Sequence, residues 1–331
     1  MTAVKTRVLE GFDDPTFPPA QWDRLLCTGD TDVVFLTWQW QRAWWETLGR
    51  GDLLLIAAER DGQVVLAPLY AHAGMVYFVG AGDADYLDLL GDAADPAVLA
   101  AILDTARSRV GGFLGFELEP IPETSRTTQA LAEAADHLGM SCTDEWGTSA
   151  VAPLLKLGGQ LEGGRAAANK QSLRRHELAL RRAGSLEALH LREGTAILPH
   201  LEEFFEQHVA RWAATPTPSF FGRPAVRAFY RRLTDLAAEC GWLRFTRLDL
   251  NGRAIAFHFG FCYRGSYLWY KPSFAIDLAQ RSPGEVLLRH LLLAALEEGA
   301  HTFDFGLGSE PFKFRFATQS NHVKKWGLYP Q

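Results

Sequence analysis

Two stretches of the chain alternate apolar and polar residues around a tight-turn signal. The first reads as strands 53–59 and 64–71 joined by Asp61-Gly62, and the second as strands 243–250 and 254–262 joined by Asn251-Gly252. In each case a third strand and a helix follow. This recurrence predicts an internal duplication of one mixed α/β unit, against the alternative that two unrelated hairpins look alike by chance.

Other periodic segments complete the two predicted units. Strands are expected at 75–79, 86–90, 115–118, 150–157, 186–191, 265–271, 302–305 and 323–329, and helices at 35–48, 94–110, 127–138, 165–182, 196–212, 225–238 and 286–297. Four glycines within 158–164 mark the expected linker. The predicted division is an N-terminal domain over 1–157, that linker, and a C-terminal domain over 165–331.

Composition narrows the class of protein. The 331 residues carry 33 basic and 39 acidic side chains, a net charge of -6, which argues against a nucleic-acid surface over the whole chain. The four cysteines have no metal-ligand spacing, so no metal is expected. The longest apolar run, 286–296, contains Arg289 and His290 and is too short to span a bilayer. With no signal-peptide pattern at the N-terminus, we expect a cytoplasmic protein without a membrane span.

Ser282-Pro283-Gly284-Glu285 opens the helix after the third strand of the second hairpin. One interpretation is a capping box, with Ser282 as N-cap and Glu285 at N3. The other is an anion site, because a helix start offers unpaired N–H groups to a diphosphate. Gly284 then leaves room for the anion, and Arg281 pairs with a phosphate. Arg281, Ser282 and Gly284 are therefore candidate donor-binding residues.

A group of titratable residues follows the strand at 302–305. Asp304 lies between Phe303 and Phe305, where a carboxylate either caps the next turn or accepts a proton from a nucleophile. Glu310 is the second candidate base. Lys313 is either a solvated surface lysine or a cation that stabilises an oxyanion. These three residues are the predicted catalytic group, and the sequence leaves the choice of base open.

Several segments resemble the GNAT acyltransferase superfamily, in particular its two-domain branch of cellulose-biosynthesis-type acetyltransferases and Fem-type peptidyltransferases. The most specific are YKPSF (270–274) with RSPGEVLL (281–288) and FDFGLGSEPFKFRFA (303–317), supported by 35–49, 83–92, 170–184 and 208–212. The resemblance implies α/β architecture with a mixed sheet, as two tandem GNAT-like domains with a cleft between them. It also implies that the C-terminal copy binds the acyl donor and that the acceptor lies in the cleft.

The resemblance also suggests acceptor-binding residues. The Asp85-Tyr86-Leu87-Asp88 segment matches the family's Asp-Tyr-Leu-Asp segment, and we place Asp85, Tyr86 and Asp88 on the cleft, against the alternative of an exposed acidic edge strand. Arg211 and Trp212 share a helix face with His208. Tyr270 either protonates a departing thiolate or belongs to the core. Lys271 has the same two interpretations as Lys313.

The resulting hypothesis is an N-acyltransferase that moves an acyl group from a thioester, with acyl-CoA as the expected donor, to the amine of a small molecule or peptide. One alternative is a Fem-like ligase that uses aminoacyl-tRNA, and another is a non-catalytic GNAT-like binding module. The helix at 165–182, with six basic residues and one acid, is a solvated surface or a site for coenzyme A phosphate, an acyl-carrier protein or tRNA.

Overall fold

Internal contacts divide the chain into two units, which a computed structural model describes over residues 3–147, 150–157, 161–213, 215 and 217–331. The first unit comprises Met1–Val151 together with Asn321–Gln331, and the second comprises Ala152–Ser320. The C-terminal segment thus packs with the first unit. The predicted division into 1–157 and 165–331 assigns this C-terminal segment to the second domain, whereas here it belongs to the first unit.

The first unit is a mixed sheet with helices between its strands. Its elements are β1 (Lys5–Val8), α1 (Pro19–Thr28), α2 (Trp38–Leu48), β2 (Asp52–Arg60), β3 (Gln63–His72), β4 (Met75–Phe78), α3 (Pro96–Ser108), β5 (Gly115–Pro122), α4 (Arg126–His137) and β6 (Met140–Asp144). Strands β1 to β4 are antiparallel neighbours, and β4 runs parallel to β5. The last strand of the chain, Gln319–Pro330, pairs antiparallel with both β5 and β6.

The second unit repeats this arrangement with a helical hairpin added in front. Its elements are β7 (Ala150–Lys156), α5 (Leu161–Ala168), α6 (Gln171–Ala183), β8 (Leu186–Leu191), α7 (Gly194–Ile197), α8 (Leu201–Trp212), α9 (Pro224–Leu236), β9 (Leu243–Leu250), β10 (Arg253–Tyr263), β11 (Ser266–Phe274), α10 (Pro283–Glu297), β12 (Thr302–Asp304) and α11 (Pro311–Phe314). The strand Gln319–Pro330 is β13. Its sheet has the order β7-β12-β11-β10-β9-β8.

The two units share one element order, and the predicted duplication is confirmed. In each, a strand and helices precede a three-stranded antiparallel meander, a helix, and a strand parallel to the third strand of the meander. The hairpin turns form as predicted, because Asp61-Gly62 and Asn251-Gly252 both adopt positive φ, from 52° to 79°. The fold is mixed α/β, built from two units that share one order of elements.

Three predicted elements differ from the structure. Residues 86–90 do not form a strand, and only Leu90 makes an isolated bridge, to Leu66. The helix expected over 35–48 begins at Trp38, because the Thr37 side chain accepts the Trp40 N–H and caps it there. The helix expected over 165–182 is two helices, α5 and α6, separated at Asn169-Lys170. Of the expected linker, 158–160 lie outside the described residues and 161–164 already belong to α5.

The core of the second unit lies between its sheet and the helices α5, α6 and α10. Fully buried leucines of α10, such as Leu287 and Leu291, pack with Tyr267 and Trp269 of β11 and with Phe303 of β12. At about 25 cal/mol per Å² of buried apolar surface, such a cluster is the main stabilising contribution to this half. Among the helices in the described part of the chain, none has the length and hydropathy that a membrane span requires.

Candidate active site

The start of α10 has no side-chain cap. Ser282 has φ 52° and ψ 50°, the left-handed conformation, and its hydroxyl makes no capping hydrogen bond. An N-cap residue normally has extended geometry, from which its side chain reaches the N–H of N2 or N3. The predicted capping box is therefore wrong, and its physical reason is this backbone conformation. In this first turn Pro283 has no N–H and the Glu285 N–H bonds the Ser282 carbonyl at 3.1 Å, which leaves the Gly284 N–H for a ligand or solvent.

Glu285 makes contacts with other elements instead of capping its own helix. Its Oε2 lies 2.8 Å from His176 Nδ1 on α6, and its Oε1 accepts a 2.9 Å bond from Arg315. These partners pull the carboxylate sideways, away from the N–H groups. Arg315 also donates to Ser172 Oγ at 3.2 Å, so the α10 start is bordered by α6 and by the segment after α11. The Glu285 carboxylate is thus held by Arg315 and His176 beside this helix terminus.

The equivalent helix of the first unit begins differently. Asp95 is the N-cap of α3, and its carboxylate accepts the Ala97 N–H at 2.9 Å. Arg60 pairs with the same carboxylate at 2.7 Å. A negative side chain therefore already occupies the positive end of α3, where an incoming anion would be repelled. Of the two related helices, only α10 keeps a start that suits an anion.

Strands β11 and β12 pair over a short distance and then separate. The pairing covers Ser266–Leu268 against Thr302–Asp304, whereas β11 continues to Phe274. Beyond Leu268, the edge of β11 that faces β12 has no partner from β12. The same strand, β11, leads through residues 275–282 into the start of α10. A bound chain that begins at the helix terminus can therefore reach main-chain groups of β11.

A β-bulge lies at the point where the gap opens. Phe259 is opposite Lys271 and Phe261 is opposite Leu268, so Trp269 and Tyr270 together face the single residue Gly260. The imidazole of His258 fills the space, with Nε2 at 3.2 Å from the Leu268 carbonyl and 3.3 Å from the Tyr270 nitrogen. Its ring is fully buried and lies between the rings of Tyr267 and Trp269.

The bulge needs glycine because there is no room for a side chain. A Cβ on Gly260 would lie 2.3 Å from His258 Cε1 and 2.4 Å from the Leu268 carbonyl oxygen. Burial lowers the pKa of His258 to about 3, so the imidazole is neutral at physiological pH. Sequence reasoning missed His258; the signal that could have revealed it is Gly260, an isolated glycine inside a strand, which often marks a bulge.

Asp304 lies at the end of β12, directly across from Leu268. It is 6% exposed, and its Oδ1 accepts a 2.7 Å hydrogen bond from the Gly306 N–H. The turn-capping role is thus present in the structure. The carboxylate also lies beside the bulge, at the mouth of the gap, so proton acceptance by Asp304 stays a prediction that the geometry permits.

Lys313 and Glu310 fasten the loop that follows β12. Lys313 is 3% exposed, so it is not a solvated surface lysine. Its ammonium donates to the carbonyls of Gly306 at 3.3 Å and Leu307 at 2.7 Å, and pairs with Glu310 Oε2 at 2.9 Å. These acceptors match the three donors of an ammonium group. Its predicted role toward an oxyanion is untested, and here all its donors are engaged by the loop.

Tyr270 and Lys271 point to the face of the sheet opposite α10. The Tyr270 ring packs near Phe261 and near Tyr230 of α9, and the Lys271 ammonium lies 4.2 Å from the Tyr270 ring centroid. Helix α8 packs on β11 from the same side. The core interpretation holds for the Tyr270 ring, which is 8% exposed. A role of its hydroxyl in transfer stays a prediction.

The C-terminal end of α8 carries the other two predicted acceptor residues. The Arg211 guanidinium lies 4.4 Å from the ring centroid of Phe274 and 5.2 Å from that of Trp212. His208, one turn earlier, is buried, with Nδ1 at 2.8 Å from Ser219 Oγ. Phe274 also contacts the α10 start, since a Cβ on Gly284 would lie 3.1 Å from its ring. The structure therefore brings Arg211, Trp212, Tyr270 and Lys271 together around β11.

The acidic segment of the first unit does not form the exposed edge strand that is the alternative to acceptor binding. Asp88 is 1% exposed, and its carboxylate accepts from Thr31 Oγ1 at 2.6 Å and from the Leu89 N–H at 2.8 Å. Burial raises the pKa of Asp88, opposed by hydrogen bonds from Ser125, Thr31 and Thr127. Tyr86 is buried beside Phe35, and Asp85 is half-buried. Their predicted contacts with an acceptor remain untested.

In the described ranges, no group of three or more His, Cys, Asp or Glu side chains is arranged to hold a metal ion. The site offers main-chain donors, carboxylates, a phenol and cations. Those groups suit acyl transfer by direct attack.

One segment in the second half of the chain matches a known family model. Residues 167–314 match the family model described as an acetyltransferase (GNAT) domain. This segment is similar to a GNAT domain. The match spans α6 through α11, including the α10 start, the bulge and Asp304. A search of curated proteins gave no match to the chain.

Solved structures extend the likeness of fold to the whole chain. FemX is 11% identical, with 95% of this chain and 96% of that chain covered and a TM-score of 0.64. L-PGS from Bacillus licheniformis is 14% identical over 95% and 93%, with a TM-score of 0.58. A tandem GNAT protein from the clavulanic acid biosynthesis pathway is 11% identical over 98% of each chain, with a TM-score of 0.53. At these identities the likeness establishes the fold. The matched family model and these folds are of the acetyltransferase (GNAT) type.

Proposed function

We propose that this protein is an N-acyltransferase that uses acyl-CoA and transfers the acyl group directly to an amine. The observation that carries the proposal is the uncapped start of α10 at the gap between β11 and β12. A diphosphate at that terminus meets the Gly284 N–H and the positive end of a 15-residue helix. The pantetheine arm then follows the gap and brings the thioester to the bulge.

Particular residues support donor binding at this terminus. Gly284 has no Cβ, and a Cβ there would lie 3.1 Å from the Phe274 ring, so glycine lets that ring pack against the helix start. Arg281 precedes Ser282 and is exposed, which suits a phosphate partner. In the first unit, the Asp95 carboxylate at the α3 start disfavours the same ligand. The donor therefore belongs to the GNAT domain of the second unit.

The transfer step forms a C–N bond and breaks the C–S bond of the thioester. The amine attacks the carbonyl carbon, the oxygen becomes an oxyanion, and sulfur leaves as a thiolate that takes up a proton. Main-chain N–H groups of β11 at the bulge stabilise the oxyanion. Asp304 or Glu310 accepts the proton of the amine, and Tyr270 is the proposed proton donor to the thiolate. Lys313 keeps the loop 306–310 in place beside them.

A thiol-release assay tests the proposal. Purified protein is incubated with acetyl-CoA and a panel of primary amines, and free thiol and acylated amine are both measured. We expect amine-dependent thiol release that falls about 100-fold or more in Asp304→Asn or Glu310→Gln, as loss of a general base predicts. Full transfer in both variants would overturn the assignment of the base. Absence of transfer and of coenzyme A binding would overturn the function, leaving a binding module.

The aminoacyl-tRNA alternative is favoured by one surface. On α6, the side chains of Arg174, Arg175 and Arg182 are exposed, and this face is the predicted docking site for tRNA or an acyl-carrier protein. Affinity for tRNA would fall steeply with salt because each phosphate contact releases counterions. Copurified RNA with a steep salt dependence would support this alternative. Copurified coenzyme A thioester, identified by mass spectrometry, would support the proposed donor.

A further inference from the structure

The α8 end of the second unit carries an unusual group of donors without acceptors. The Arg211 guanidinium lies over the rings of Trp212 and Phe274. Its Nε atom is buried with no hydrogen-bond partner. The indole Nε1 of the adjacent Trp212 is likewise buried and unpartnered. Buried donors of this kind cost free energy unless something accepts from them. Within the described part of the chain, no carboxylate pairs with Arg211 or with Lys271.

The groups that face this cluster leave its positive charge uncompensated. His208 lies beside it and is neutral, because burial, the Lys271 ammonium and the Arg211 guanidinium lower its pKa to about 3. Ser219 bonds the His208 ring, and Ser273 of β11 donates to Gln207 of α8 at 2.7 Å. All of these neighbours are uncharged. Two cations thus converge around one neutral imidazole, an arrangement that an anionic ligand would stabilise.

The cluster lies on the face of the sheet that packs against α8 and α9, opposite α10. Lys271 is opposite Phe259, whose ring packs against Phe204 of α8 and Tyr230 of α9. By contrast, Tyr267 and Trp269 pack with the α10 leucines on the other face. The two faces meet at the gap beside the bulge, one residue from Lys271. A ligand bound to Lys271 therefore approaches the thioester from the side opposite the donor helix.

We propose that Arg211, Lys271 and Trp212 form a subsite for an oxyanion carried by the acceptor, so that the acceptor is an anionic amine with a carboxylate or phosphate group. The assignment of this anion to the acceptor rests on the proposed function. The guanidinium and the ammonium neutralise the oxyanion, and the indole N–H donates to it. With the anion held there, the amine of the same molecule reaches the carbonyl carbon next to Tyr270. A simple cationic amine would be repelled by the two charges.

The kinetic test uses pairs of amines that differ only in the anion. Glycine is compared with glycinamide, and glucosamine 6-phosphate with glucosamine, at constant ionic strength and with acetyl-CoA as donor. We expect kcat/KM to favour one anionic member by about tenfold or more, as a charge-assisted hydrogen bond predicts, and the preferred pair separates carboxylate from phosphate. Arg211→Gln and Lys271→Gln should remove the preference. Arg223→Gln, another arginine that lies over a phenylalanine ring, should keep it.

A binding measurement separates this inference from the proposed function. Without donor, inorganic phosphate or succinate should raise the melting temperature of the wild type above that in chloride of equal ionic strength, and should do so less in Arg211→Gln. If neither anion does so, or if the variants respond as the wild type does, the subsite is overturned even if acyl transfer is found. A rise in the KM for acetyl-CoA in Arg211→Gln, with amine preference unchanged, would assign these cations to the donor and also overturn it.

Discussion

At the scale of single residues, His258 has the most informative setting. Its Nε2 lies near the Leu268 carbonyl and the Tyr270 nitrogen, where a neutral ring donates to the first or accepts from the second, and its Nδ1 is buried without a hydrogen-bond partner. A protonated ring would put an unpaired charge in the core, which is why its pKa falls so far. His208 and His290 are also buried, and burial lowers their pKa to about 3 and about 4.

These histidines predict a pH dependence of stability. Above pH 7.5 the folded and unfolded forms are both neutral; below the unfolded pKa of about 6.5, only the unfolded chain binds the protons. Stability therefore falls as pH falls from 7 toward 3. Replacing His258 with Gln, which keeps a donor and an acceptor, should recover about 1.4 kcal/mol of the loss between pH 7.5 and 5.5. Urea titrations at both pH values measure this; an unchanged pH dependence would contradict the assignment.

Other residues show what the sequence could reveal and what it could not. Asp304 was found as a carboxylate in an apolar strand, and that position is beside the bulge. Lys313 was expected to be either solvated or catalytic, but its actual setting depends on two carbonyls of a loop that no pattern predicts. The sequence predicts that Asp88 faces an acceptor or lies on an exposed edge, and it gives no sign of burial, because the partners Thr31 and Thr127 are distant in sequence. The sequence does not reveal which groups these polar residues contact in the folded protein, and those contacts determine their settings.

At the scale of elements, most strands and helices are predictable from the sequence, but the geometry at the start of α10 is not. Turn signals and periodicity located both hairpins, β8 and α10, since these depend on local chemistry. The capping box failed because Ser282 adopts the left-handed conformation after a 3-10 turn, Ile276–Arg281. The bulge in β11 depends on pairing between strands, so only Gly260 hinted at it.

The bulge makes a prediction about one glycine. Gly260→Ala should destabilise the protein by about 1–3 kcal/mol, because the added methyl group overlaps the His258 ring and the Leu268 carbonyl. Gly222→Ala is the matched control, since nothing lies within 4 Å of its Cβ position, and its effect should stay within about 0.5 kcal/mol. Chemical denaturation of both variants measures the difference. Equal stability of the two would show that β11 is not held as described.

At the scale of the whole molecule, duplication has produced two units with different uses of one helix position. In the first unit, Asp95 and Arg60 close the α3 start, and in the second the α10 start stays uncapped. The order of elements was visible in the sequence. The return of β13 to the first unit was not, because strand partners far apart along the chain leave no local pattern.

The central claim is that the α10 start binds the diphosphate of the acyl donor. Calorimetric titration with coenzyme A of the wild type, Ser282→Asn and Ser282→Asp tests it most directly. The Asp variant should bind about tenfold or more weakly, because a carboxylate competes with the diphosphate, while the isosteric Asn variant binds as the wild type does. Helix stability should not fall, since an acidic residue suits a helix start. Equal affinity of all three proteins for coenzyme A would contradict the account.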